Sequence, residues 1–262
     1  MTISLAVGSP KGGVGKSTAA QQIASIIKGS FLIAHDSTSN FSFINKVRAE
    51  WAEKKNIKPV KAPIFESFER KKNEDGSVEI MDNFETYNNF IQENKVSAVY
   101  DLGGYDSPDH RFIYSIVDHI IIPIGLSEYD LQSLETMNDT LIQASKTATQ
   151  IKIKLLEKEL HRELTKEEAK QADTKLVGKV LACRIHPNST KTSPRFLNLV
   201  ERVAEFDHLE LLDSVIYELS DYVKASNKGF SVLELPQTKH SRAARDVKAL
   251  ASELNLLSAQ GE

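Results

Sequence analysis

The run SPKGGVGKST at positions 9–18 carries residue types and spacing suited to phosphate chemistry. Gly12, Gly13 and Gly15 let the backbone turn tightly, with N–H groups facing inward and no Cβ in the way. Such a nest, leading into a helix start, favours a polyphosphate. The Lys16 ammonium is placed to reach β and γ phosphates, and the Ser17 hydroxyl to ligate Mg²⁺. Gly12, Gly13, Val14, Gly15, Lys16, Ser17 and Thr18 are thus the expected nucleotide-binding residues. The general pattern has glycine at position 10; this chain has Pro10, then a second lysine, Lys11, directly before the paired glycines.

Two carboxylates complete the set. Asp101 follows a short apolar run and so falls at the carboxyl end of a strand, the edge where open α/β sheets bind ligands. There it would hold Mg²⁺ through water, while the Gly104 N–H three residues on would sense the γ phosphate. Asp36 ends a second apolar run and opens the polar stretch DSTSN. It would orient or deprotonate an attacking water, or join Ser17 and Asp101 at the metal. Each has a plainer alternative: Asp101 as a cap on the next helix, Asp36 as a cap in a turn.

The elements that must position these groups read as a doubly wound α/β fold with a mostly parallel sheet. Strands are expected at Ile3–Val7, Phe31–His35, Ala98–Asp101, His119–Pro123 and Val177–Cys183, with weaker ones at Leu209–Leu212 and Val232–Leu235. Helices are expected over 16–28, 41–55, 83–94, 128–146, 192–206, 219–228 and 238–257. Residues 66–82 read as a surface excursion or hairpin. Residues 146–174 read as an extended helix or helical insertion, with capping-box spacing at Thr165 and Glu168. The expected organisation is one P-loop domain over 1–262.

Composition narrows the classes. Of 262 residues, 40% are hydrophobic and 26% charged, which gives an ordinary core without staples. A single cysteine, Cys183, excludes a disulfide framework and a cysteine-rich metal site within one chain. The net charge of −3 means that any nucleic-acid contact must come from a local patch. MTISLAVGSPKGG lacks the basic start and cleavable apolar stretch of a signal peptide. The densest apolar run, HIIIPIGL, is too short to span a bilayer. A cytoplasmic protein is expected.

KGGVGKST at 11–18 resembles the deviant Walker A motif of the ParA/MinD family of ATPases. Asp36 occupies the place of that family's switch I aspartate and Asp101 that of Walker B. IIIPIGLSEYDLQSL (120–134) and GFSVLEL (229–235) are similar to further family segments. The likeness is weaker near 50–95 and 146–174. The resemblance implies ATP and Mg²⁺ as cofactors and slow hydrolysis stimulated by a ParB-like or other partner. It also implies an ATP-dependent sandwich homodimer in which Lys11 reaches across to the partner's phosphates. Lys11, Lys16 and Asp36 would then be the catalytic set.

ParA-type members use this dimer to bind DNA non-specifically and to position a plasmid, chromosome or other cargo. On a helical wheel for 238–257, Lys239, Arg242, Arg245 and Lys248 fall mostly opposite an apolar face. Lys224 and Lys228 precede them, and together these six form the candidate DNA surface. Against it, Glu218 stands where ParA proteins often have an arginine. The tail SELNLLSAQGE lacks the cations and aromatic anchors of a membrane helix, and Cys183 alone cannot serve the nitrogenase iron-protein branch. For the base, strand-end Arg184 and Pro236 lie in candidate regions, with no pattern deciding between them. Two other classes stay open: a metabolic P-loop enzyme of the dethiobiotin synthetase kind, and an ATP-gated regulatory or scaffold protein without DNA binding.

Overall fold

The computed structural model describes residues 2–36, 41–55, 64–72 and 78–256. The first half runs β1 (Ser4–Val7), α1 (Lys16–Ala24), β2 (Phe31–His35), α2 (Phe41–Lys55), β3 (Ile64–Glu66), β4 (Phe68–Lys72), β5 (Val78–Asp82), α3 (Phe84–Asn94) and β6 (Ala98–Leu102). Then follow α4 (Pro108–Ile116), β7 (His119–Ile124), α5 (Glu128–Leu160), α6 (Lys166–Gln171), β8 (Gly178–Ile185), α7 (Pro194–Ala204), β9 (Leu209–Tyr217), α8 (Ser220–Ser226) and α9 (Arg242–Glu253).

Seven strands form one sheet in the order β3-β2-β6-β1-β7-β8-β9, and every pairing in it is parallel. The short apolar runs are what a sheet covered on both faces requires. Side chains alternate between two cores: Leu5 and Val7 join one with α1, α2 and α9, whereas Ala6 joins the other with α3, α4, α5 and α7. β1 lies at the centre, between β6 and β7; its own connection runs to β2 on one side, whereas that of β6 crosses over to β7 on the other. The crevice beyond its carboxyl end is therefore the topological switch point.

Most expected elements are present, with shifted ends. The excursion at 66–82 contains an antiparallel β4–β5 pair; its tip, 73–77, lies outside the described residues, as do Ser37–Asn40 after Asp36. The helix begun at Glu128 continues past 146 to Leu160, the extended helix expected of that stretch, and is started by a Ser127–Asp130 capping box. The second capping box, Thr165 with Glu168, opens α6 as expected. α4 was not anticipated, although Ser107 at its N-cap and Pro108 at its first position are standard start signals.

The expected strand Val232–Leu235 is instead a buried turn. Its backbone finds partners without a sheet neighbour: Val232 N donates to Gln22 Oε1 at 2.9 Å, and Val232 O accepts from Thr238 Oγ1 at 2.7 Å. β9 is thus the last strand of the sheet. The final helix starts later than expected, at Arg242 with Ser241 as its cap, so Lys239 lies in the turn before it.

Candidate functional site

The glycine-rich loop leaves β1 and ends at Gly15, which caps α1 in the left-handed region at φ 99°. No side chain caps that helix start, so its first amides face the loop. Gly13, at φ 78°, also needs a conformation that side chains disfavour. Lys16 is buried, and its ammonium donates to the Lys11 carbonyl at 2.7 Å, curling over the loop. Burial pushes the Lys16 pKa down, against the opposing pull of Asp101 and Asp36.

Sheet register brings the carboxylates to this loop. Asp101 on β6 is level with Val7 on one neighbouring strand and Ala34 on the other. Its side chain is 1% exposed, and Oδ1 has no hydrogen-bond partner among the described residues. Burial pushes its pKa up to about 7, although the Ser17 hydroxyl and Lys16 ammonium pull the other way. A buried, under-satisfied carboxylate beside a serine hydroxyl fits a divalent cation held with its water. Asp36 follows β2 directly and lines the same cleft. Gly104 abuts the loop so closely that a Cβ there would lie 3.2 Å from both Gly12 N and Lys16 Nζ.

The cleft holds about 830 Å³. Gly12, Gly13, Gly15, Lys16, Ser17 and Thr18 form its glycine-loop end, and Tyr217, Glu218, Leu219, Tyr222 and Val223 its far end. Arg184 lines it as well, whereas Pro236 does not. A polar loop at one end and the aromatic and aliphatic side chains of Tyr217, Leu219, Tyr222 and Val223 at the other suit a nucleotide's two halves.

Lys11 and Val14 instead line a second cleft on the opposite side of the loop, with Ser127, Tyr129, Asp130 and Arg184. There the Lys11 ammonium meets Asp130 Oδ1 at 2.5 Å. Burial alone would raise the Asp130 pKa, but hydrogen bonds from Lys11 and Ser127 outweigh it and hold the carboxyl below its usual range. Sequence reasoning assigned Asp130 no role; its only signal was its place in the SEYDLQSL segment.

The six basic residues are unequal. Lys239, Arg245 and Lys248 are exposed. Arg242 lies 3.8 Å from the Tyr217 ring centroid and donates to the Pro187 carbonyl at 3.0 Å, so it is a packing residue first. Lys224 pairs with Asp221 at 3.3 Å, and the Lys228 ammonium sits 5.1 Å from the Trp51 ring centroid. Among the described residues, no helix is long and apolar enough to cross a membrane.

Residues 3–258 match the family model described as ATPase MipZ. No curated protein sequence matches significantly. Among solved structures, the ATP complex of a Cyanothece McdA variant aligns with a TM-score of 0.56 and 13% identity, covering 97% of this chain and 96% of that one. Cell division ATPase MinD from Pyrococcus furiosus gives 0.55 and 15%, over 98% and 100% of the two chains. A MinC:MinD cell division complex from Aquifex aeolicus gives 0.54 and 16%, over 97% and 96%. At these identities the structures show a shared fold, that of the P-loop NTPases.

Proposed function

Since the chain belongs to the MipZ family of ParA/MinD-type ATPases, we propose that it is an ATP-driven positioning switch that hydrolyses ATP with Mg²⁺ and moves or partitions a cargo. The observation that carries this reading is Asp101: a buried carboxylate with an unsatisfied oxygen, set by strand register beside Ser17 and Lys16.

In this reading, the loop amides of 12–18 and Lys16 bind the phosphates, and the apolar far end of the cleft takes the base. Ser17 and Asp101 would hold Mg²⁺, with Asp36 at the same centre; the metal would neutralise phosphate charge. Asp36 orients the attacking water, and Gly104 reports on the terminal phosphate through its contact with the loop. Lys11 leaves Asp130 to reach the phosphates of a second copy, making ATP part of the interface. Charge supplied across the interface favours the transferring phosphoryl group. Hydrolysis is slow until an activating partner, ParB-like or other, binds.

The ATP dimer would bind DNA non-specifically through Lys224, Lys228, Lys239, Arg245 and Lys248. Arg242 is already engaged, and Glu218 puts negative charge nearby in sequence, so this surface is weaker than the helical wheel implies. Binding to duplex DNA with ATP, ADP or no nucleotide, across a salt series, tests the reading, with Lys11→Ala as control. ATP-dependent binding that weakens with salt and disappears in Lys11→Ala supports it. Dimerisation by ATP with no DNA binding at low salt rejects the DNA role and leaves an ATP-gated switch that binds its partner elsewhere. ATP turnover that requires a small-molecule acceptor would instead favour the metabolic-enzyme class.

A further inference from the structure

Arg184 stands between the two clefts and lines both. Its backbone is left-handed at φ 56°, a conformation that non-glycine residues avoid, and it sits within the β8–β9 register shift between Cys183 and Ile185. That departure from strand geometry aims the side chain across the cleft. Nη1 donates to the Gly13 carbonyl at 2.7 Å, and Nη2 donates to Glu218 Oε1 at 3.2 Å. Glu218 is fixed in turn by its own N–H, which donates to the Ile185 carbonyl at 2.8 Å.

We propose that Arg184 is a positioning residue for the phosphate loop, pinning the Gly13–Val14 peptide and tying it through Glu218 to the far wall of the nucleotide cleft. In a trans peptide the C=O and N–H point in opposite directions. Anchoring the Gly13 carbonyl therefore fixes the direction of the Val14 N–H, one of the donors the loop offers. The need for an anchor follows from composition: Gly13 and Gly15 give the loop its shape but leave its peptide planes free to rotate. The Arg184–Glu218 pair is more than half exposed on both sides, so it adds little stability. Its effect is geometric, since a guanidinium fork can meet two acceptors at once.

The inference rests on the nucleotide-binding reading above. Its test is binding of a fluorescent ATP analogue, displaced by ATP, ADP or inorganic tripolyphosphate, to the wild type, Arg184→Ala, Arg184→Lys, Glu218→Ala and Lys16→Ala. Arg184→Ala should weaken all three competitors alike, by about tenfold, because what it disturbs is the loop. Arg184→Lys keeps one donor for the Gly13 carbonyl and should recover most of the loss. Glu218→Ala should cost about two- to threefold. The proposal is overturned if Arg184→Ala binds all three as wild type does, or if it loses ATP and ADP but keeps tripolyphosphate, which would place Arg184 at the base. A Lys16→Ala protein that binds normally would reject the nucleotide site itself.

Discussion

Lys11 and Asp130, 119 residues apart in sequence, close an ion pair of 2.5 Å across the groove beside the phosphate loop. The Asp130 carboxylate has a second task, because its Oδ2 accepts from Ser127 N and Oγ at 3.2 and 2.5 Å and so caps α5. A lysine paired within its own chain is unavailable to the phosphates of a second copy. Dimerisation as proposed must first break this contact. Asp130→Asn removes the charge but keeps an oxygen for the cap. Its ATP-induced dimer should form at about three- to tenfold lower ATP, the scale of a partly exposed ion pair. Sedimentation against an ATP titration measures this; an unchanged or raised midpoint would show that Asp130 does not restrain Lys11.

Gly104 is constrained by contact with the loop. A Cβ there would press on Gly12 N and Lys16 Nζ at 3.2 Å and on the Lys11 carbonyl carbon at 3.3 Å. Gly104→Ala should therefore fold, with a melting temperature within a few degrees of wild type, yet bind ATP about tenfold or more weakly. Calorimetric titration together with thermal melting separates the two effects. Equal ATP affinity would mean that the segment moves aside at no cost.

Legibility from sequence followed the range of the interactions. The glycine-rich loop between β1 and α1 was readable because its glycines, lysines and serine lie within ten consecutive residues. The carboxyl-edge placement of Asp101 was readable because an apolar run announces a buried strand. The Lys11–Asp130 pair was not, since its members are 119 residues apart; strand-end Arg184 was legible as a candidate at the cleft, but its hydrogen bond to Gly13, 171 residues away, was not. The misread strand at Val232–Leu235 shows the same limit: an apolar run signals burial, while Gln22 and Thr238 decide that its backbone need not join a sheet. The wheel at 238–257 separated the faces of α9 but could not show Arg242 lying against Tyr217.

His35 should make stability fall in acid. It is buried one residue before Asp36, with Nδ1 2.8 Å from Ser67 Oγ and its ring against Phe84 and His110. Burial, with His110 beside it, pushes its pKa down to about 4. Between that value and the ordinary 6.5, the unfolded chain binds a proton that the native state does not. Stability therefore rises with pH across this window and is lost as pH falls through it, by about 2 kcal/mol from pH 7 to pH 5 for this group alone. Asp101, whose linkage over this window has the opposite sign, is common to both proteins, so urea unfolding at the two pH values should show wild type changing by about 2 kcal/mol more in the destabilising direction than His35→Phe, which keeps a ring against Phe84. Equal acid sensitivity in both proteins would exclude His35 as the source.

Asp101 should show the opposite relation between stability and function. Its folded pKa of about 7 lies above the unfolded carboxylate range, so between about pH 4 and 7 the native state holds the extra proton. Stability from this group thus decreases as pH rises through that window, and above it the protein carries a buried carboxylate at a cost on the order of 4 kcal/mol. Asn is nearly isosteric and has no charge to desolvate. Asp101→Asn should therefore unfold at higher denaturant than wild type at pH 8 without nucleotide or metal, by about 2 kcal/mol. The same change removes the carboxylate proposed to hold Mg²⁺, and ATP turnover should fall by about 100-fold or more. Stabilisation with loss of turnover would identify Asp101 as a residue placed for chemistry at the expense of the fold. A destabilised variant would make it a structural hydrogen-bonding group, and a stabilised variant with full turnover would move the metal to other ligands.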